Sequence, residues 1–510
     1  MKVTLLNDSF PPVIDGVANV VMNYARIMTE TGKAEAVVAT PRYPEADYTG
    51  YPYAVVPYQS FDTTGIVNGY RAGNPFAMKA IEQLTTFRPD IIHTHCPVSS
   101  TVMARILRNE TGAPVVFTYH TKFDVDIARA VSAKFIQKES IKALADNITA
   151  CDEVWVVSRG AGDNMKSLGY EGEYRVMPNG VDFAKGRVSD EEVAKAVAGY
   201  DLPADVPVFL FVGRMMKYKG LPIILDAMKL LAGEGMDFRM IFVGGGLDAE
   251  EMQQKAKDDG IWDKVIFTGP EHDRMRLRAW NTRADLFLFP STYDTNGIVV
   301  REAAACGLAS VLIKDSCAAE GITDGRNGYI IEESAEAMAA CLREACKDME
   351  RVHQVGQHAM DEIYISWDTA VNMAYERYGE ILELKNRGML PARKHETSDY
   401  FLNIAANLVE KTDKVFKAPR RIYEGMQENV AEMRENMEGM REEFRENMSE
   451  LREGMRENMA ELKEGMRENM AELKEGMRES GSELYKDIRA NVKDNFHQIE
   501  NIIKGDLDEK

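Results

Sequence analysis

Several absences narrow the reading of this sequence at once. Nowhere in its 510 residues is there an uninterrupted apolar run of about 18, so no helix is expected to span a membrane. Its six cysteines include no Cys-x-x-Cys pair, and a chain this long needs no covalent staples. Free thiols in a reducing cytoplasm are therefore expected. Basic excess is missing too: the net charge of −20 argues against wholesale nucleic-acid binding. The opening MKVTLLNDSFPP has no long apolar stretch before its first polar residue, so it reads as a first strand rather than a signal peptide.

What is present is an ordinary globular apolar fraction, 45%, with an uneven charge. Residues 424–510 carry a net −10, half the total, whereas residues 393–421 carry a net +3. A local basic patch thus survives in an acidic chain, as contact with an anionic membrane surface would require. Through the first 180 residues, short β-branched runs alternate with helix-length patterns. The runs are Val3–Asn7, Ala36–Ala39, Asp90–His93, Pro114–Thr118, Glu153–Val157 and Arg175–Met177. They lack period-two alternation, as parallel strands covered on both faces do. The series restarts with Val208–Val212, Arg239–Val243, Lys264–Phe267, Asp285–Phe289, Ser310–Ile313 and Gly328–Ile331.

Two βαβ series predict an α/β chain of two Rossmann-like domains with a cleft between them, ligands sitting at the carboxyl ends of the strands. The boundaries expected are 1–182 and 208–365 for the domains and 183–207 for a polar linker. A helix over 366–388 is expected to close the second domain and cross back to the first. A basic amphipathic linker (389–423) and a helical tail (424–510) follow. In the tail GMRENMAELKE occurs at 454–464 and again at 465–475. Such an 11-residue period, about 3.67 per turn, suits a straight or slightly right-handed bundle. An oligomerising coiled coil is the first reading, and a lipid-lying amphipathic helix or a loose spacer are the others. Gly454, Gly465 and Gly476 each weaken a helix by about 1 kcal/mol.

Four segments carry chemistry. In Phe289-Pro-Ser-Thr-Tyr-Asp294-Thr-Asn296-Gly297-Ile298 through Glu302, a strand ends, a loop follows and a helix starts near Gly297. Unpaired amides and the positive dipole end of that helix suit a diphosphate. Asp294 lies in the loop and Glu302 inside the helix, and carboxylates accept hydrogen bonds from sugar hydroxyls. Phe211-Val-Gly-Arg214-Met-Met-Lys-Tyr-Lys219-Gly220 follows a strand with two cations five apart, suited to charge developing on a leaving diphosphate. Lys217 reads as a surface lysine. Pro11–Val17, with Gly16, and Val243–Leu247, with Gly245 and Leu247, are glycine turns after strands. His120 ends the strand Phe117–Thr121, and His93 and His95 end its neighbour. Three histidines at neighbouring strand ends are also the donor set of a zinc site.

These residues resemble family 4 of the retaining glycosyltransferases, of the two-Rossmann-domain kind called GT-B. The likeness covers roughly residues 1–385. Its motif is a glutamate, seven residues, then a glutamate. Asp294 and Glu302 have that separation, with an aspartate standing for the first glutamate, which leaves the donor sugar open. The resemblance implies that Asp294 contacts the donor sugar and Glu302 the ribose. It implies that Arg214 and Lys219 take the diphosphate and that His120 lies near the reacting carbon. It places Gly16, Gly245, Leu247, Asn296, Gly297 and Ile298 around the donor. It implies retention, no metal and no cofactor beyond the nucleotide sugar, UDP-glucose being expected. The stretch from His93 to Thr121 is similar to bacterial diacylglycerol glucosyltransferases, which work at a membrane surface. Lys134, Lys138 and Lys142, spaced four apart, form a basic helix stripe suited to anionic lipid, with Asp124 as an acceptor-side candidate. The expectation is a cytoplasmic enzyme, peripheral on the inner face of the cell membrane, that uses a nucleotide sugar and a lipid such as diacylglycerol and self-associates through its tail. Rival readings are a soluble or polysaccharide acceptor, an epimerase or phosphorylase on the same fold, and a membrane-associated scaffold with a degenerate transferase body.

Overall fold

A computed structural model describes residues 1–13, 15–63, 70–123 and 134–390. The expected basic linker 389–423 falls beyond them except for its first two residues. The tail 424–510, with its coiled-coil reading, lies wholly outside.

The first lobe runs β1 (Lys2–Leu6), α1 (Gly16–Glu30), β2 (Glu35–Pro41), β3 (Ala54–Tyr58), a hairpin of β4 (Ser60–Asp62) and β5 (Arg71–Gly73), and α2 (Met78–Phe87). It continues with β6 (Ile91–Thr94), α3 (Ser99–Thr111), β7 (Val115–Tyr119), α4 (Lys134–Thr149), β8 (Glu153–Val156), α5 (Arg159–Ser167) and β9 (Arg175–Val176). Its seven-stranded sheet has the order β3-β2-β1-β6-β7-β8-β9, with every pairing parallel. The direction of winding reverses between β1 and β6. A crevice opens at such a switch point, beyond the carboxyl ends of the strands.

The second lobe begins with α6 (Asp190–Val197), then β10 (Val208–Val212), α7 (Leu221–Gly233), β11 (Arg239–Val243), α8 (Ala249–Asp258) and β12 (Val265–Gly269). After these come α9 (Arg274–Arg283), β13 (Leu286–Phe289), α10 (Ile298–Ala305), β14 (Ala309–Ile313), β15 (Tyr329–Ile331), α11 (Ala335–Ala345) and α12 (Met349–Glu362). Its sheet order, β12-β11-β10-β13-β14-β15, puts a second switch point between β10 and β13. Local chemistry sets the helix starts. Asp15, Ser158, Ser189, Asp273, Ser334 and Asp348 cap their helices by accepting a backbone N–H with the side chain. The central strands are sealed: all five residues of β7 and all four of β13 are buried.

Two expectations need correction. The segment 183–207 is no free polar linker. It contains α6, and Phe183, Val197, Tyr200 and Leu202 pack on the second lobe's core. Its apolar residues are spaced too sparsely to announce that face. The strand β3 and the β4–β5 hairpin were also missed, because edge strands are short and half exposed and so lack the solid apolar run of a central strand. The last described helix, α13 (Trp367–Asn386), does cross back: Trp367, Val371, Ala374, Tyr378 and Ile381 join the first lobe's core. The two passages between lobes run side by side, with Val181 N–H donating to Ile365 O at 3.0 Å. A Cβ on Gly180 would overlap the Trp367 backbone, so only glycine permits this approach.

Candidate active site

The end of β10 and the loop after β13 build the charged half of the site. Gly220 has φ +77°, and a Cβ there would strike the Pro290 carbonyl. This contact lets the Lys219 turn lie against the β13 loop. Lys219 Nζ meets Asp294 Oδ1 at 2.5 Å, and Ser291 Oγ donates to Asp294 Oδ2 at 2.5 Å. Both partners are largely buried, with side chains 10% and 22% exposed. The Lys219 ammonium also stands 5.8 Å over the Phe289 ring. Arg214, by contrast, is exposed, and its side chain makes no hydrogen bond or ion pair among the described residues. Its charge nevertheless reaches Tyr70 of the first lobe, where it opposes the rise in phenol pKa that burial causes. Tyr70 donates to Asp15, the cap of α1, at 3.0 Å.

Gly297 takes φ +59° as the cap of α10, beneath Ala318. Just before it, Asn296 is buried. Its Oδ1 accepts from Arg301 Nε at 3.3 Å, and its Nδ2 has no partner among the described residues. Glu302 is buried in α10, and Arg274 donates to its Oε1 at 2.5 Å. Burial raises the Glu302 pKa above the usual carboxylate value, and Arg274 opposes the shift. Ile298 is half-buried in the first turn of α10. In the glycine turn after β11, Gly244 and Gly246 pack directly on the Gly213–Met215 backbone, and the Gly245 carbonyl accepts from Met215 N–H at 2.8 Å. Leu247 stands out at its tip, 89% exposed. Lys217 pairs with Glu251 at 2.7 Å on the surface.

The first lobe supplies histidines. His120 lies just past β7, its Nε2 3.0 Å from His95 Nδ1. Both nitrogens of His93 are engaged, with Tyr378 OH and the Thr118 hydroxyl, each at 2.6 Å. A zinc ion would have to displace these contacts, so the triad does not fit a three-histidine metal site. Burial holds His120 neutral, with its pKa pushed down to about 3. The lobes meet over this site. Thr295 Oγ1 donates to the His120 carbonyl at 2.6 Å, Lys122 Nζ to Thr292 O at 3.0 Å, and Ser158 Oγ to Thr295 O at 2.5 Å. Glu320 accepts from Arg159 N and Gly160 N at 2.7 and 2.6 Å, where a carboxylate complements the start of α5.

The structure thus gathers Lys219, Asp294, Asn296, Gly297 and His120 around one loop, with Glu302 behind it in α10. Lys138 and Lys142 are exposed on α4, remote in sequence from that loop. Asp124 and the Lys134 side chain lie outside the described residues. Sequence reasoning passed over Ser291, Thr295, Glu320, Arg274 and Tyr70. Thr295, Glu320, Arg274 and Tyr70 act through partners brought close only by the fold, whereas Ser291 meets Asp294 three residues along in the same loop.

Comparison with known proteins agrees with this architecture. The Glycosyltransferase Family 4 domain matches residues 14–185 and the Glycosyl transferases group 1 domain residues 193–361. Curated relatives include a D-inositol 3-phosphate glycosyltransferase of Acidothermus cellulolyticus, 30% identical over 48% of this chain and 56% of its own length. The chain thus spans little more than half of that relative. An alpha-monoglucosyldiacylglycerol synthase of Acholeplasma laidlawii is 24% identical over 66% of this chain and 86% of its own length. Among solved structures, Anabaena Alr3699/HepE in complex with UDP superposes with a TM-score of 0.60 at 18% identity, covering 74% of this chain and all of that one. Sucrose-phosphate synthase from Thermosynechococcus elongatus gives 0.59 at 18% identity, covering 75% of this chain and 99% of that one. At such identities the likeness is one of fold.

Proposed function

Because the chain pairs a family 4 glycosyltransferase domain with a group 1 domain on the GT-B fold, we propose that it is a retaining hexosyltransferase. It moves glucose from UDP-glucose to a membrane lipid such as diacylglycerol, forming an α-glycosidic bond. The observation that carries the transferase reading is the Lys219–Asp294 pair at the second lobe's switch point, joined to His120 of the first lobe by the Thr295 hydrogen bond. A cation there meets the charge that develops on a departing diphosphate. Arg214 supplies a second, and no metal is needed in this reading.

The chemistry in this reading follows from how Asp294 is held. Asp294 is committed to Lys219 and Ser291, so it is poorly free to attack carbon. The reaction then proceeds on one face of the sugar. The acceptor oxygen bonds to the anomeric carbon as the carbon–phosphate oxygen bond breaks, and the acceptor proton passes to the leaving phosphate. Positioning and charge stabilisation are the enzyme's contribution. Glu302 holds the ribose, and Asn296, Gly297 and Ile298 receive the diphosphate at the start of α10.

Support for a lipid acceptor comes from the likeness to the Acholeplasma laidlawii synthase. It also comes from the exposed lysines of α4 and an apolar pocket behind β7, lined by Tyr119, Phe123, Ile141, Leu144, Ile148 and Met165. The enzyme then works peripherally on the inner face of the membrane, and the repeat tail serves self-association. Titration calorimetry with UDP and UDP-glucose tests the donor half directly. Binding that weakens at least tenfold in Arg214→Ala and Glu302→Ala is expected, and equal affinity in all three proteins would refute it.

A further inference from the structure

The strands β6 and β7 are parallel neighbours, with Thr94 beside Phe117 in register. Their continuations bring His95 and His120 together with rings stacked at 5.2 Å and a hydrogen-bond contact of 3.0 Å between Nδ1 of His95 and Nε2 of His120. His95 is almost fully enclosed, 2% exposed, and its backbone N–H is fixed to Leu6 O at 2.9 Å. The His93 ring lies 4.0 Å from it, itself gripped at both nitrogens by Tyr378 and Thr118. Tyr24 closes the other side edge-on at 5.9 Å. The His95 ring is thus packed between His93, Tyr24 and His120.

Burial keeps both imidazoles uncharged near neutral pH. Two neutral rings joined by one N···N hydrogen bond share a single proton on that axis, and each ring carries one proton in all. Two arrangements exist. In the first, His95 donates from Nδ1, His120 accepts at Nε2, and the His120 proton sits on Nδ1. In the second, His120 donates from Nε2, and the His95 proton sits on its Nε2. That atom is buried and has no partner among the described residues. A sealed, orphaned N–H is rarer in folded proteins than an unused acceptor lone pair, so the first arrangement prevails. The His120 Nδ1 has no partner among the described residues and is not one of the sealed polar atoms. It is the free end of the pair.

We propose that His95 is a positioning residue. It locks His120 in the Nδ1–H tautomer, so that His120 offers a hydrogen-bond donor, and not a base, to a hydroxyl oxygen of the hexosyl donor. The inference rests on the transferase reading for its second half, while the tautomer lock stands on geometry alone. It also gives the three strand-end histidines distinct roles: His93 buttresses, His95 orients and His120 touches the ligand.

The test has two arms on the full chain. Long-range proton–nitrogen NMR of the ¹⁵N-histidine-labelled protein reads the tautomer without any substrate. A protonated-type Nδ1 and a bare Nε2 on His120 are expected, with tautomers mixed in His95→Phe. A protonated Nε2 on His120 in the wild-type protein overturns the proposal. In the second arm, transfer or hydrolysis of UDP-glucose is followed in His95→Phe, His95→Asn and His95→Gln. Loss of the lock lowers kcat roughly tenfold, with KM changed far less. Asn, whose amide falls near the imidazole Nδ1, restores most of that loss, while Gln does not. Equal kcat in His95→Phe and wild type, or equal rescue by Asn and Gln, overturns it. If no nucleotide sugar turns over in the wild-type protein, the transferase reading fails, and the NMR arm still decides the lock.

Discussion

Replacing Lys219 by methionine keeps most of the apolar stem and removes the ammonium that stands over the Phe289 ring. The Asp294 carboxylate is then left with the Ser291 hydroxyl alone. Breaking a fully buried ion pair by removing one partner costs about 3–5 kcal/mol. With Asp294 22% exposed and still accepting from Ser291, the expected loss is about 2 kcal/mol. Asp294→Asn strands the lysine and costs a similar amount. The double variant strands neither charge, so its loss falls short of the sum of the singles by about 2 kcal/mol. Urea unfolding of the four proteins, followed by tryptophan fluorescence, measures this coupling. Catalysis behaves differently. Lys219→Met is expected to lower kcat by about 10²–10³, the range for deleting one electrostatic contact to a developing charge. Adding Asp294→Asn repairs stability without repairing kcat. Additive stabilities would refute the pairing, and a kcat within threefold of wild type in Lys219→Met would refute the role assigned to the cation.

Other consequences are open to direct measurement. Gly220→Ala forces a side chain into the Pro290 carbonyl at φ +77° and is expected to destabilise the second lobe by more than about 1 kcal/mol, seen as a lower urea midpoint. Tyr378→Phe leaves His93 Nδ1 buried without its partner and is expected to cost about 1–3 kcal/mol in the same assay. Burial depresses the pKa of His93, His95 and His120 below 6.5, to about 3 for His120. The unfolded chain gains protons near pH 6.5 that the folded chain refuses. Stability is therefore full above that pH and falls toward pH 3, by up to about 1.4 kcal/mol per pH unit for each histidine. Urea midpoints at pH 7 and pH 5 should differ accordingly, and His120→Asn should flatten the slope. An unchanged midpoint would show that these histidines take up protons in the folded chain.

Much of the fold was legible because buried parallel strands advertise themselves. Runs such as Val208–Val212 and Asp285–Phe289 differ from the observed β10 and β13 by one residue or less at each end. The edge strand β3 carries Pro57 and is half exposed, so its pattern resembles a loop. In the candidate site, Lys219, Asp294, Asn296 and His120 were legible as candidates because each sits at the carboxyl end of a solid strand run or in the loop that follows. Their partners were not. Ser291, Arg274 and Thr295 carry no periodic signal, and although His95 stands out as a strand-end histidine beside His120, the hydrogen bond between the two rings, 25 residues apart in the chain, does not. The 183–207 segment misled because the residues it packs on the core, buried Phe183 and the half-buried Tyr200 and Leu202, are isolated among polar neighbours.

The central claim is glycosyl transfer to a lipid. Purified protein incubated with radiolabelled UDP-glucose and anionic vesicles containing diacylglycerol, then partitioned between organic and aqueous phases, tests it most directly. Label in the organic phase, α-linked and abolished by Glu302→Ala, is the predicted result. UDP release with a soluble sugar acceptor and no organic label would contradict the lipid half. No turnover with any common nucleotide sugar would contradict the claim as a whole.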